Sequence, residues 1–450
     1  MKVCIKTYGC QMNERDSERI AVFLRRRGYV LTRWEAEADV IIVNTCSVRE
    51  KAEDKALGKM RLLIASKEEH PDRIVGAVGC MVQQMGRGIF RKARGLDFAV
   101  GTRRLARVPE VLEAVRAGRR PIFDVGEEGG REDQGVHEAG RVTAFTSILF
   151  GCNRHCSYCV VPRVRGAEWS RPAADIIDEI RTLVHHGLKE VTLLGQSIMS
   201  YGRANLVWTD GYRSALGFTE SLPQLLEALQ GIPWLERIRF TSGHPSGCTL
   251  ELIRAMAELP SVCEHLHLPL QSGSDRILDR MNRGYSAADY HNAVRRLRAA
   301  LPKVAITTDV IVGFPSETLD DFEMTRALMS EIGFDNAFIF KYNPRPDTPA
   351  ACWPDNVPEK EKLRRNHVLL DEQNRCCLAL NQALVGNEVQ VLIEGQSRRN
   401  AARWTGRTRT NKIVLIDASS ALRRGDLLTV KIDDAKIQTL YGTVMARGAP

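Results

Sequence analysis

Gly151-Cys152-Asn153-Arg154-His155-Cys156-Ser157-Tyr158-Cys159 carries three thiols in the spacing C-x3-C-x2-C, and it follows an apolar, strand-like run over residues 143–149. Three thiolates on one short loop can ligate three irons of a four-iron cubane and leave the fourth iron without a protein ligand. Zinc is the common alternative for clustered cysteines, but structural zinc takes paired C-x2-C ligands, and no fourth partner stands here at such spacing. Cys248 and Cys263 lie further on, without a paired motif.

Downstream of the loop, strand-like runs recur at 190–194, 237–241, 265–270, 305–312 and 337–342, with amphipathic helical segments between them. With 143–149 these make six βα units, which predicts a partial TIM-like (β/α)6 barrel over 141–375 with its active site at the carboxyl ends of the strands. Polar residues at those ends are candidate cofactor or substrate contacts: Gln196 after the second strand, Gln271 after the fourth, Asp309 in the fifth. Tyr158, inside the cysteine loop, joins them. The alternative for each is a turn, capping or packing role.

Upstream, residues 1–125 read as a parallel βα domain. Apolar strands at 3–7, 40–43 and 74–78 alternate with helices from 14, from 48 to 65 and beyond 81, and such alternation places ligands at the carboxyl edge of a sheet covered on both faces. Each strand is followed by a cysteine: Cys10, Cys46 and Cys80. Free cysteine is often merely buried, which suits Cys4 in mid-strand. Three successive strand ends instead point to a second three-cysteine cluster site. Residues 126–140, rich in glycine and charge, read as a linker.

Residues 358–384 form a long helical stretch, and short period-two segments follow at 388–393, 412–416, 427–432 and 439–444, as in a small antiparallel barrel over 376–446. From residue 376 to the end, 11 Lys plus Arg stand against 6 Asp plus Glu, so +5 of the chain's net +9 lies there. Arg403, Arg407, Arg409 and Lys412, interleaved with Trp404, resemble a surface that tracks an RNA backbone; a solvated loop is the alternative. The 450 residues and twelve cysteines, with neither a secretory signal nor an apolar run long enough to span a bilayer, suggest a cytoplasmic protein with reduced thiols and no membrane partner.

C-x3-C-x2-C with an aromatic before the last cysteine is similar to the signature of radical S-adenosylmethionine enzymes. The whole chain resembles the methylthiotransferase family: an N-terminal domain with an auxiliary cluster, a radical S-adenosylmethionine domain, and a C-terminal RNA-binding barrel called TRAM. Thr7-Tyr8-Gly9-Cys10-Gln11-Met12-Asn13, Asn44-Thr45-Cys46-Ser47-Val48-Arg49 and Phe340-Lys341-Tyr342-Asn343-Pro344-Arg345-Pro346 look like its MiaB branch. The resemblance implies two [4Fe–4S] clusters, at Cys10, Cys46, Cys80 and at Cys152, Cys156, Cys159, and S-adenosylmethionine on the open iron of the second set. It implies a tRNA partner met at position 37 of the anticodon stem-loop, and an electron donor such as flavodoxin or ferredoxin. In that scheme a 5′-deoxyadenosyl radical removes hydrogen from C2 of N6-isopentenyladenosine, and sulfur from the auxiliary cluster, methylated by S-adenosylmethionine, takes its place. A monomer is expected. The rival targets are threonylcarbamoyl-adenosine and a ribosomal protein; a non-catalytic cluster-bearing RNA-binding protein is disfavoured by three cysteines at each site instead of four. Ser197, where the family usually has asparagine, and a longer loop over 203–218 depart from its pattern.

Overall fold

The computed structural model describes residues 1–47, 50–126, 135–209, 211–417 and 422–447. Strands β1 (Lys2–Thr7), β2 (Val30–Leu31), β3 (Val40–Thr45), β4 (Ile74–Gly79), β5 (Phe98–Val100) and β6 (Ile122–Asp124) form one parallel sheet in the order β2-β1-β3-β4-β5-β6. β3 and β4 are buried at every position, as near-continuous apolar strands between two helical layers must be. One face packs Ile20, Leu24 and Leu112; the other packs Ala56, Met60 and Met81, with Cys4 in that core as a plain buried thiol. The expected three strands are thus half of the sheet. β2, β5 and β6 hold only two or three residues each, too few to show a period.

The helix expected from residue 14 starts at Gln11, because Cys10 and Asn13 form a reciprocal cap at its N-terminus. The helix expected from 48 is observed as Glu50–Ala65, and residues 48 and 49 lie outside those described. Most of the expected linker, 127–134, also lies outside them. Its end is held: Val136 is buried, and His137 sits between Glu18 and Glu179.

β7 (Thr143–Ser147), β8 (Leu149–Phe150), β9 (Trp169–Ser170), β10 (Glu190–Leu194), β11 (Arg237–Phe240), β12 (His265–His267), β13 (Ala305–Val312) and β14 (Asn336–Lys341) build the middle of the chain. β7, β10 and β11 pair in parallel, as do β12, β13 and β14, and a bridge between Ile238 and Val262 joins the two sets into the partial six-stranded barrel. The strand expected over 143–149 breaks at Ile148. Beyond it β8 leaves the barrel and pairs antiparallel with β9, bracketing the cysteine loop in a small ribbon.

β15 (Glu388–Gln396), β16 (Arg403–Thr408), β17 (Ile413–Asp417), β18 (Leu427–Ala435) and β19 (Leu440–Arg447) close into a barrel in the order β15-β16-β17-β19-β18. This corrects the expectation at one point: residues 403–408, read as part of a basic RNA-tracking surface and not among the expected strands, are a strand paired on both sides. Its buried positions are Gly406 and Thr408, too small and polar to reveal a period of two. The helix Glu359–Gln382 links the two barrels along β14.

Candidate metal and cofactor site

In the first sheet the strand order reverses between β1 and β3, and a crevice forms at such a switch point outside the carboxyl ends. Thr7 is level with Asn44, Asn44 with Val78, and Thr45 with Gly79, so Cys10, Cys46 and Cys80 leave three adjacent strands at one edge. The ends are tied together. Asn13 Nδ2 donates to Asn44 Oδ1 (3.2 Å) and to the Thr45 carbonyl (3.0 Å), Asn44 Nδ2 donates back to the Asn13 carbonyl (2.9 Å), and Thr45 Oγ1 donates to the Val78 carbonyl (2.7 Å). Gly9, at φ +133°, leaves room for its neighbours: a Cβ there would stand 2.4 Å from Asn13 Oδ1 and 2.6 Å from the Cys46 Cβ.

Cys10 and Cys46 share a side-chain hydrogen bond, which with the nearby Arg165 cation holds the Cys10 thiol down to about 6 against the pull of burial. Burial pushes Cys80 up. Cys152 and Cys159 are likewise raised by burial, Cys159 to about 12 with the neighbouring Cys156 adding to it. Buried thiols that resist ionisation become thiolates when a metal supplies the positive charge. Among the described residues, no three His, Cys, Asp or Glu side chains close tightly enough around a single metal ion. A cubane does not require that, since each thiolate binds its own iron and the sulfurs stand apart. The donor sets fit iron–sulfur clusters.

The second triad is held from two sides. Gly151, at φ +71° with the Ala167 carbonyl oxygen 2.2 Å from where a Cβ would lie, turns β8 into the loop, and its N–H donates to Gln196 Oε1 (2.6 Å). From the far side, Ser157 N–H donates to the Met281 carbonyl (3.0 Å) and Asn282 Nδ2 to the His155 carbonyl (2.8 Å). Arg283 Nη1 donates to Cys156 Sγ (3.2 Å), and the backbone N–H of Arg154 faces Cys152 Sγ (3.4 Å). Residues 281–283 carry no motif that announces this role; only the fold brings them to the loop.

The four expected contact residues take different positions. Tyr158 packs edge-on to Phe314, which in turn meets Tyr342 and Trp353. Gln196 spends its oxygen on Gly151 and leaves Nε2 buried without a partner among the described residues. Gln271, at φ +69°, is bonded through its backbone to β13. Asp309 faces His267 Nε2 (3.4 Å). The two triads adjoin each other: Cys80 packs on Val160 and Val164, in the segment directly after Cys159.

The four C-terminal cations are not gathered on a free surface. The small barrel sits against the amino-terminal ends of the large barrel's strands, where Arg237 donates to the Arg407 and Gln390 carbonyls and Arg239 to those of Thr408 and Arg409. Arg409 forks onto Glu264 and Lys412 reaches Asp335 (2.7 Å), so both are spent on this seam. Arg407 pairs with Glu394 inside the small barrel. Arg403 is half-exposed, beside Asp417. The spacing of cations along the chain could not show which of them face an acidic neighbour.

Three family models match the chain: residues 2–101 match the uncharacterized protein family UPF0004, 146–329 the radical SAM superfamily, and 382–445 the TRAM domain. Among solved structures, the radical S-adenosylmethionine methyltransferase TsrM from Kitasatospora setae shares the fold at TM-score 0.57, with 14% identity over 78% of this chain and 75% of that one. The fold and its cysteine loop are those of a radical SAM enzyme. Proteins named tRNA-2-methylthio-N(6)-dimethylallyladenosine synthase are 44% identical in Akkermansia muciniphila and in Moorella thermoacetica, each over 98% of both chains, and 41% identical in Salmonella arizonae, over 99% of this chain and 92% of the relative. The chain belongs to the tRNA-2-methylthio-N(6)-dimethylallyladenosine synthase family.

Proposed function

We propose that this protein is a tRNA methylthiotransferase that places a methylthio group on C2 of N6-isopentenyladenosine, at position 37 of the anticodon stem-loop. The observation that carries the reading is the apposition of two three-cysteine sites, with four of the six thiols buried and each site one ligand short of a closed cluster. Cys10, Cys46 and Cys80 would hold one [4Fe–4S] cluster and Cys152, Cys156 and Cys159 the other, with S-adenosylmethionine at the second. When bound, these groups supply the one-electron chemistry that removes an unactivated hydrogen, and the sulfur and methyl that replace it.

The chain's own residues prepare that chemistry. Asn13, Asn44 and Thr45 fix the first triad, while Gln196, Ser157 and Arg283 fix the second. The aromatic wall of Tyr158, Phe314, Tyr342 and Trp353 keeps water from that side of the loop. Gln196 Nε2, Gln271 and Asp309 face the carboxyl end of the barrel as polar contacts for S-adenosylmethionine or the nucleoside.

We assign the catalytic units to 1–125 and 141–375, joined by 126–140, and RNA binding to 376–446. Arg403 serves the RNA together with Arg398 and Arg399, exposed at the β15–β16 turn; Arg398 lies near enough to Glu14 to act on its carboxyl. That turn reaches the helix that begins beside Cys10, so RNA held there is led toward the paired sites. No described helix is long and apolar enough to cross a membrane. The reading includes a cytoplasmic monomer that takes electrons from a flavodoxin or ferredoxin.

Nucleosides of tRNA from a deletion strain test the target: 2-methylthio-isopentenyladenosine should vanish and return with the intact gene. Its persistence, with loss of a methylthio mark on threonylcarbamoyl-adenosine or on a ribosomal protein, would move the enzyme to those substrates. Anaerobically prepared protein should hold about eight irons, and each triple Cys→Ala variant about half as many.

A further inference from the structure

Arg165 ends the short helix Val161–Arg165, six residues after Cys159, and so belongs to the loop of the second triad. Its guanidinium ends at the first. It lies beside Cys80, on which the preceding residue Val164 packs, close enough for its charge to act on the thiol, and its Nη2 donates to Asp16 Oδ2 (2.7 Å). The side chain is 8% exposed and Asp16 3%, so this charge meets sulfur and carboxylate with little water between. Backbone contacts fix the helix that carries it: Thr102 Oγ1 donates to the Val164 carbonyl (2.6 Å), and Cys152 N–H to that of Gly166 (3.0 Å).

A matching device serves the other triad. Arg283, also buried, donates from Nη1 to Cys156 Sγ (3.2 Å) and from Nε to the Tyr285 hydroxyl (3.2 Å). Each triad therefore has one thiolate that faces a buried guanidinium. They differ in balance, because Arg165 shares its charge with Asp16, whereas Arg283 has no carboxylate within ion-pair distance among the described residues.

We propose that Arg165 is a positioning residue for the first cluster site: it fixes the Cys80 sulfur against the loop of the second site and raises the reduction potential of the cluster held there, with Asp16 setting how far. A reduced cluster carries one more negative charge than an oxidised one, so a buried cation beside its sulfur ligand favours the reduced state. Asp16 opposes this by drawing on the same guanidinium. The inference rests on the reading that Cys10, Cys46 and Cys80 hold a cluster.

The test uses full-length protein reconstituted anaerobically, in a background where Cys152, Cys156 and Cys159 are alanine, so that one cluster remains. Its potential is followed by redox titration with electron paramagnetic resonance, alongside iron content. Arg165→Met should shift the midpoint to more negative values, Arg165→Lys should shift it less, and Asp16→Asn should shift it to more positive values. An Arg165→Met protein with full iron and an unmoved midpoint overturns the proposal. Should that variant lose iron, Asp16→Asn, which keeps the guanidinium, decides: a positive shift supports the proposal and an unmoved midpoint overturns it. Iron retained after Cys10, Cys46 and Cys80 are also replaced would reject the underlying cluster reading, whatever Arg165 does.

Discussion

Glu18 lies 3.5 Å from His137 Nδ1, beside Arg15 (2.9 Å), on the helix that joins the first sheet to the barrel. Burial works against its ionisation, yet the adjacent His137 and the Arg15 and Arg141 charges bring its carboxyl down to about 2 from 4.5. The unfolded chain takes up this proton first, so the stabilisation is complete above about 4.5 and is lost as pH falls toward about 2. Glu18→Gln should therefore lower the thermal midpoint at about pH 6 and flatten its fall between about pH 4.5 and 3; a parallel fall in both proteins would rule the group out. Gln196→Leu leaves the Gly151 N–H without its acceptor, at a cost of about 1–3 kcal/mol. It should hasten iron loss from the Cys152 loop and spare the other triad, as read by iron release in the two triple-alanine backgrounds.

At the scale of elements, β16 and the turn after it do two jobs that look alike in sequence. Arg409 and Lys412 bind Glu264 and Asp335 across the seam, whereas Arg398 and Arg399 at the opposite turn stand exposed. Arg409→Glu with Lys412→Glu should open the seam, lower the thermal midpoint and expose the helix Glu359–Gln382 to protease. Arg398→Glu with Arg399→Glu should leave the midpoint in place, weaken tRNA binding, and reduce the slope of log affinity against log salt by about 1 to 2. Equal effects of the two pairs on tRNA affinity would return Arg409 and Lys412 to the RNA surface. β16 escaped notice as a strand because its inward residues are Gly406 and Thr408. β3 and β4 were plain because their runs are apolar and buried throughout.

Across the molecule, buried charged groups stand at the joints between the parts. Arg15, Glu18, Arg171 and Glu179 are buried between the first sheet and the barrel, and Glu190, Arg237 and Arg239 between the two barrels. Removing one member of such a set leaves its partner buried and unpaired, so Arg239→Met should cost about 3–5 kcal/mol, seen as early release of the C-terminal barrel on limited proteolysis while the cluster content stays intact. The sequence by itself determined the three architectures and the two cysteine triads, since period, strand-end position and thiol spacing are local properties of the chain. Only the tertiary structure decided that the triads adjoin, that Arg165 meets Asp16 and Arg283 meets the Cys156 sulfur, and that Arg409 and Lys412 hold a seam. Those facts depend on which distant residue a flexible, charged side chain meets, and for that choice the chain carries no periodic signal.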